Sequence, residues 1–437
     1  MFGLTRYLRF GFSAVFFLTI IISSFGFFDA HCSEAYDNPV GDSTESDAGY
    51  PRKVSSKATW EKIVSFPGAV VFFPFQVVYA VTEKAFGTEY EVPLVGKIAD
   101  LMASDDGRRS LYPTYGSRRG GGLKYKHKGL LSRGSVFDIT TTAWIRNRSM
   151  YRIRFRDVDI IGGVASTGFT VRYMLMPDEK FYGLGMDSEK DDKSNFSWEQ
   201  TSIELSLGKR FLDRLKSNIT LAYQRNNILP GRDRSIPLTS DIYNSRTLPG
   251  LESGVELMGG NFEVTYDSKN HPGRPTGGWE IFINGGYQLQ TRDDDFEYLE
   301  SSMDITRYVH LFYNRYMVFR AAARTARPFS GKKVPFYHLS QMGLWSTVRG
   351  FSRGRFRDRD LVMGSLEYRW PLTPNYLHAL IFVDAGKVSL DIFENISEGD
   401  YEISYGVGLI GWSHEGILIR AEIGKSSDQI RFNLNFN

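Results

Sequence analysis

From about Arg118 onward, apolar and polar residues alternate with a period of two, and this pattern constrains the fold more than any other feature of the chain. A period of two puts every second side chain on one face of an extended strand. Tyr151, Ile153 and Phe155 alternate with Arg152, Arg154 and Arg156, and Phe262, Val264 and Tyr266 alternate with Glu263, Thr265 and Asp267. Ile417, Ile419, Ala421 and Ile423 alternate with Leu418, Arg420 and Glu422, and the run ends on Ile430, Phe432, Leu434 and Phe436 against Arg431, Asn433 and Asn435. Matching this template gives 16 strands, from 119–129 to 428–437, with 167–176 and 180–186 as separate members. Most have lengths that suit a tilted membrane strand of ~9–11 residues.

The links between these strands also separate by length. If the first strand starts from the periplasm, the long links, 227–252, 326–361 and 385–400, all join an odd strand to an even one. Short links, among them 147–148, 177–179, 210–216 and 413–414, join even to odd. Long outer loops with short periplasmic turns are the habit of transmembrane barrels. Lipid satisfies no backbone donor or acceptor, so strands can cross it only as a closed cylinder. The expected fold is therefore all-β: a 16-stranded antiparallel barrel, greasy outside against outer-membrane lipid and polar within.

Composition agrees. A mean hydropathy of −0.29 is too low for a bundle of membrane helices, while 43 glycines and 14 % aromatic residues suit a barrel. The 53 basic and 50 acidic residues nearly cancel, which excludes a nucleic-acid partner of the usual basic kind. Cys32 is the single cysteine, so no disulfide forms within the chain, and the seven histidines show no metal-ligand spacing. No cofactor is expected.

The N-terminus has the form of an export signal. Arg6 and Arg9 precede the uncharged stretch Phe10 to Phe28, and Ser33 and Ala35 supply small residues for cleavage after position 35. The competing reading is a membrane anchor; lipid attachment at Cys32 is disfavoured by His31 before it. Residues 36–117 read as a polar leader followed by a short helical periplasmic segment, with apolar runs at Trp60 to Phe86 and Leu94 to Met102. These runs could lie on a membrane face or in the barrel mouth, or form a small soluble helical pair. The barrel is expected over 118–437.

Within the longest outer link, Val348-Arg349-Gly350-Phe351 resembles the signature of the BamA/TamA superfamily of outer-membrane assembly and translocation barrels, the bacterial surface antigen family. Leu366-Glu367-Tyr368-Arg369-Trp370-Pro371, Phe382-Val383-Asp384-Ala385-Gly386, Phe181-Tyr182-Gly183-Leu184-Gly185 and the hairpin from Tyr266 to Gly278 resemble further motifs of that family in the same order. The family's usual POTRA modules are not recognisable in residues 36–117, and Phe436 is penultimate where an aromatic residue normally ends the chain.

The resemblance implies that the loop folds into the lumen and that Arg349 meets Asp384 or Glu367 there, with Val348, Gly350, Phe351 and Gly386 completing the clasp. It implies insertion or translocation of a polypeptide or lipid client, and without POTRA modules a periplasmic accessory subunit becomes a candidate for client recruitment. The weak partner in a seam between first and last strands would be the glycine- and lysine-rich stretch at Gly120, Gly121 and Gly122, facing Phe432, Leu434 and Phe436. The alternative is a passive porin or a structural surface antigen.

Two further features carry lesser readings. Arg152, Arg154 and Arg156 could guide an anionic client, but pairing with acids on neighbouring strands is the expected role. No nucleophile elbow, zinc-protease motif or P-loop is present, so no catalytic residue is assigned; His338 beside Ser340 is the sole pair of a type that catalysis uses.

Overall fold

The computed structural model describes Ser104 and residues 106–436, apart from 117–119, 144–147, 161–164, 252–253, 344–346, 374–376, 393–395, 397–400 and 414–415. The export signal, the leader and the apolar runs at 60–86 and 94–102 lie outside the described residues.

The strands are Arg109–Gly116 (β1), Gly120–Lys128 (β2), Val136–Ala143 (β3), Ser149–Asp159 (β4), Ser166–Phe181 (β5), Ser194–Leu212 (β6), Leu215–Pro230 (β7), Val255–Asp267 (β8) and Gly278–Gln290 (β9). They continue with Glu297–His310 (β10), Tyr316–Pro328 (β11), Ser340–Met342 (β12), Phe356–Asp358 (β13), Asp360–Pro371 (β14), Leu377–Ser389 (β15), Glu402–Ser413 (β16), Gly416–Lys425 (β17) and Ile430–Phe436 (β18). Sixteen of them form one antiparallel sheet in chain order, each pairing with its sequence neighbours, and β12 and β13 form a separate hairpin inside the link between β11 and β14. The edge strands β1 and β18 approach within 8 Å at Cα.

The two faces of this barrel are inverted relative to a soluble protein. Leu205, Leu221, Phe262 and Phe432 are 54, 60, 51 and 62 % exposed on the outside, a cost that only a bilayer removes. Asp138, Ser202, Glu367, Asp384, Ser404 and Glu422 are buried on the inside.

The count of 16 survives, but two of the expected strands are redrawn. The 167–176 and 180–186 segments are parts of one strand, β5, whose register with β6 shifts between Met176 and Glu179. Pro177 lacks a ladder donor and sits in that bulge, so the alternation breaks although the strand continues. Residues 182–186 belong to the following loop, where Gly183 and Gly185 have φ of +105° and +81°. The strand that sequence reasoning left in the leader is β1, and the barrel starts at Arg109 rather than 118. Pro113 argues against a strand in sequence, yet an edge strand is the place where a sheet tolerates proline.

The two changes cancel in parity from β6 onward. The long links 231–254, 329–359 and 390–401 leave the same end of the barrel, the outer end by the loop-length rule. The 144–148 link moves to that end, and 177–179 is no turn.

Two of the long links fold inward. Leu248 and Leu251 from one, and Val334, Phe336 and Tyr337 from the other, pack against the inward-facing ends of the strands, including Phe181, Phe196 and Tyr298. Phe336 stacks edge-on against Phe181 and Phe196 with centroids 5.7 and 5.0 Å apart. An apolar plug thus fills the outer mouth.

Candidate functional site: the lumenal arginine clasp

Below the plug, the link between β11 and β14 runs down into the lumen. Its hairpin pairs Ser340 with Asp358 and Met342 with Phe356. Gly185 of the preceding loop donates its N–H to the Arg357 carbonyl at 2.9 Å, which ties the Phe181–Gly185 motif to this hairpin. Arg357 is buried, donates to the Phe336 carbonyl at 3.1 Å and lies 5.6 Å from the Phe181 and Phe336 ring centres. Burial pushes its guanidinium down to about 10, still a cation at neutral pH.

At the loop tip, Arg349 is 3 % exposed and uses most of its donors on the wall. Nε and Nη2 donate to Asp384 Oδ2 and Oδ1 at 2.8 and 2.5 Å, a bidentate fork. Nη1 donates to Glu367 Oε1 at 2.5 Å and Glu422 Oε1 at 2.8 Å, and Nη2 also reaches Ser365 Oγ at 2.9 Å. The guanidinium carbon stands 3.6 Å from the centre of the Phe382 ring. Burial opposes the Arg349 charge, but Glu367, Asp384 and Glu422 outweigh it and hold its pKa above the ordinary arginine value.

The cluster is electrically closed. Arg420 Nη2 donates to Glu367 at 2.5 Å and to Glu422 at 2.7 Å, and Arg369 Nε donates to Glu367 Oε2 at 2.7 Å. Three arginines therefore face three carboxylates. Buried ions are tolerable when every charge is matched and hydrogen-bonded, and removing one member strands another.

The backbone of the tip is gripped as well. The Arg349 N–H donates to Asp384 at 3.0 Å, Asn433 Nδ2 on the last strand donates to the Arg349 carbonyl at 3.1 Å, and Ser426 Oγ donates to the Gly350 carbonyl at 3.0 Å. A Cβ on Gly350 would meet the Ser404 and Ser426 Cβ atoms at 2.8 Å, so only glycine lets the tip lie this close to the wall. Gly386 does the same opposite Val348, whose Cγ2 would stand 2.9 Å from an added Cβ. Val348 and Phe351 are fully buried in an apolar cluster with Met342, Phe356, Leu361 and Met363. Gly350→Ala is expected to cost about 1–3 kcal/mol, the usual range for overpacking. The checks are a lower urea midpoint and faster protease cleavage within 344–359; an unchanged digestion pattern would contradict the close fit.

The structure thus gathers Val348, Arg349, Gly350, Phe351, Glu367, Asp384 and Gly386 at one site. Both proposed carboxylate partners are engaged, and a third, Glu422, was not foreseen. Its signal was in the sequence: Arg420 and Glu422 occupy the polar face of the alternating 415–424 segment.

The seam residues separate into two groups. Phe432, Leu434 and Phe436 lie on β18, paired with Ile423, Ala421 and Ile419. Gly120, Gly121 and Gly122 do not lie at the seam, because β2 pairs with β1 on one side and β3 on the other; Gly121, for example, faces Tyr115 and Ala143. The edge itself belongs to Arg109–Gly116.

His338 and Ser340 turn to different partners. His338 Nδ1 meets Tyr298 Oη at 2.8 Å and Glu300 at 2.9 Å, whereas Ser340 Oγ donates to the Arg359 carbonyl at 2.9 Å. Among the described residues no group of three or more His, Cys, Asp or Glu is placed to hold a metal ion.

Fold and site together define a class: a transmembrane β-barrel whose longest loop is folded into its own lumen and held there by an arginine. A family model described as the Omp85 superfamily domain matches residues 130–437. The chain belongs to the Omp85 superfamily and is an outer-membrane protein. Among solved structures it resembles BamA from Haemophilus ducreyi lacking POTRA domains 1–3, with a TM-score of 0.56 and 18 % identity over 75 % of this chain and 70 % of that one. CdiB from Escherichia coli is more distant, with a TM-score of 0.48 and 12 % identity over 73 % of this chain and 59 % of that one. A search of curated protein sequences gives no match.

Proposed function

We propose that the protein inserts or translocates an envelope client, polypeptide or lipid, at the junction of β1 and β18, with the clasped loop bracing the β18 flank. The observation that carries this reading is the attachment of the loop tip to the end of the barrel. Arg349 and Gly350 bond to Asn433 and Ser426, so the C-terminal strands are held from within. On the other flank, β1 has eight residues and contains Pro113, while β18 has seven. Both are much shorter than the 19-residue β6, so they can share fewer ladder bonds than interior strands do. A passive pore is the poorer reading, because the apolar plug fills the outer mouth.

The test is a reversible crosslink. With Cys32 changed to serine, cysteines are paired between β1 and β18, and the variant replaces the native copy in a depletion strain. Oxidation should block client handling, seen as loss of particular proteins or lipids from the outer membrane, and reductant should restore it. Full complementation by a barrel crosslinked at the seam would eliminate this mechanism.

A further inference from the structure

Strands β2 to β5 carry a second feature of the lumen that the clasp does not use. Residues paired across adjacent strands share a face, and the register stacks cations on the inward face in three tiers. Nearest the periplasmic end, Lys128 and Arg156 flank Val136; above them come Lys126 and Arg154 beside Asp138. The third tier holds Lys124, Arg152 and Arg172, with Thr140 between the first two.

Seven basic side chains therefore share a wall with one carboxylate, Asp138, and the next acid around the barrel is Glu204 on β6. Asp138 is fully buried and draws in Arg154 at 2.9 Å, Arg152 at 3.4 Å and Arg156 at 3.9 Å. Glu204 meets Arg172 at 3.2 Å. The expected pairing with neighbouring acids is thus present, but two carboxylates cannot neutralise seven cations.

Arg152 and Arg172 are direct cross-strand partners, an arrangement of like charges that destabilises a sheet. The buried Nε–H groups of Arg156 and Arg172 find no acceptor among the described residues. Arg156 also lines a cavity of about 600 Å³ at the periplasmic end, together with Arg210 and Lys216. The cavity wall farther round is different in kind, built from Thr220, Gln224, Asn261 and Glu263. The positive charge is local rather than a general property of the lumen.

We propose that this wall binds a phosphate-bearing ligand entering from the periplasmic end. A phosphate group carries up to two charges and three strong acceptor oxygens, so it can take two guanidinium forks and an ammonium together. A carboxylate, with one charge and two oxygens, would leave part of each tier unmatched. Guanidinium groups suit phosphate geometry in particular. The ligand is either a lipid headgroup or a soluble phosphate compound. The proposal depends on the barrel and its register, not on opening of the seam, so it is testable without any client assay.

The full chain, purified in a maltoside detergent that lacks phosphate, is titrated by calorimetry with pyrophosphate, with short-chain phosphatidic acid and with polyglutamate. At least one phosphate probe should bind more tightly than polyglutamate, and salt should weaken it. Phosphatidic acid alone binding would identify a lipid headgroup, and pyrophosphate binding as well or better would identify a soluble source. The double variant K126Q/R172Q should weaken the phosphate probe about tenfold or more, as expected for loss of charge-assisted bonds. R324Q, on the opposite wall, should change it by less than about twofold. Heat-modifiable gel mobility shows whether each variant is folded. The proposal is overturned if neither phosphate probe binds, if polyglutamate binds as well as they do, or if folded K126Q/R172Q binds like the native protein or like R324Q.

Discussion

Arg349→Ala is expected to be the most damaging single substitution in the barrel, lowering stability by about 3–5 kcal/mol. The reason is charge balance in a dry site. Arg349 spans Asp384, Glu367 and Glu422 while 3 % exposed, and alanine leaves two cations, Arg369 and Arg420, facing three carboxylates. Purified Arg349→Ala should show a reduced heat-modifiable folded band, a lower urea midpoint and rapid protease cleavage of the loop. Arg349→Lys should be intermediate, because one ammonium cannot reproduce the bidentate fork on Asp384.

A simple Arg349–Asp384 swap is a poor rescue, since an aspartate at 349 would stand beside Glu367 and Glu422. The better second-site change is Arg349→Met with Glu422→Gln, which restores two cations to two anions. It should recover part of the midpoint lost in Arg349→Met alone. A native midpoint together with a protease-resistant loop in Arg349→Ala would show that the clasp contributes little.

The second large effect is on conductance. A barrel of 16 strands is wide enough to leave an aqueous channel, so what fills it decides whether it conducts. Here Phe336, Tyr337 and Val334 plug the mouth and the Arg349 tip lies deeper. Replacing 330–358 with a short glycine-serine linker is geometrically mild, because Thr325 and Asp360 already face each other in the β11–β14 ladder. In planar bilayers the native protein should be near baseline, and the excised form should give a steady large conductance. The excision should also unfold the barrel less than Arg349→Ala does: with the loop gone, Glu367 and Asp384 face water instead of a dry interface. Steady porin-like current from the native chain would contradict the plug.

The alternation of polarity was sufficient for the fold class because a strand has only two faces, and a tube in lipid needs one greasy and one wet. It also put Arg420, Glu422, Arg152 and Arg154 on the inner face. It failed at Pro113 and Pro177. A proline silences the local ladder signal, and whether it marks a strand end, a bulge or a tolerated edge depends on neighbours that are distant in sequence. The seam moved for that reason: Gly120–Gly122 look weak along the chain, yet two flanking strands pair with them.

The sequence by itself determined a 16-stranded membrane barrel, the end from which its long loops leave and the arginine that enters the lumen, because all three are written in short-range periodicity and a local motif. Only the tertiary structure decided which carboxylates receive that arginine, which strand forms the open edge and how cations from four neighbouring strands gather on one wall. Those outcomes depend on strand register, and register is fixed by pairing between segments rather than within them.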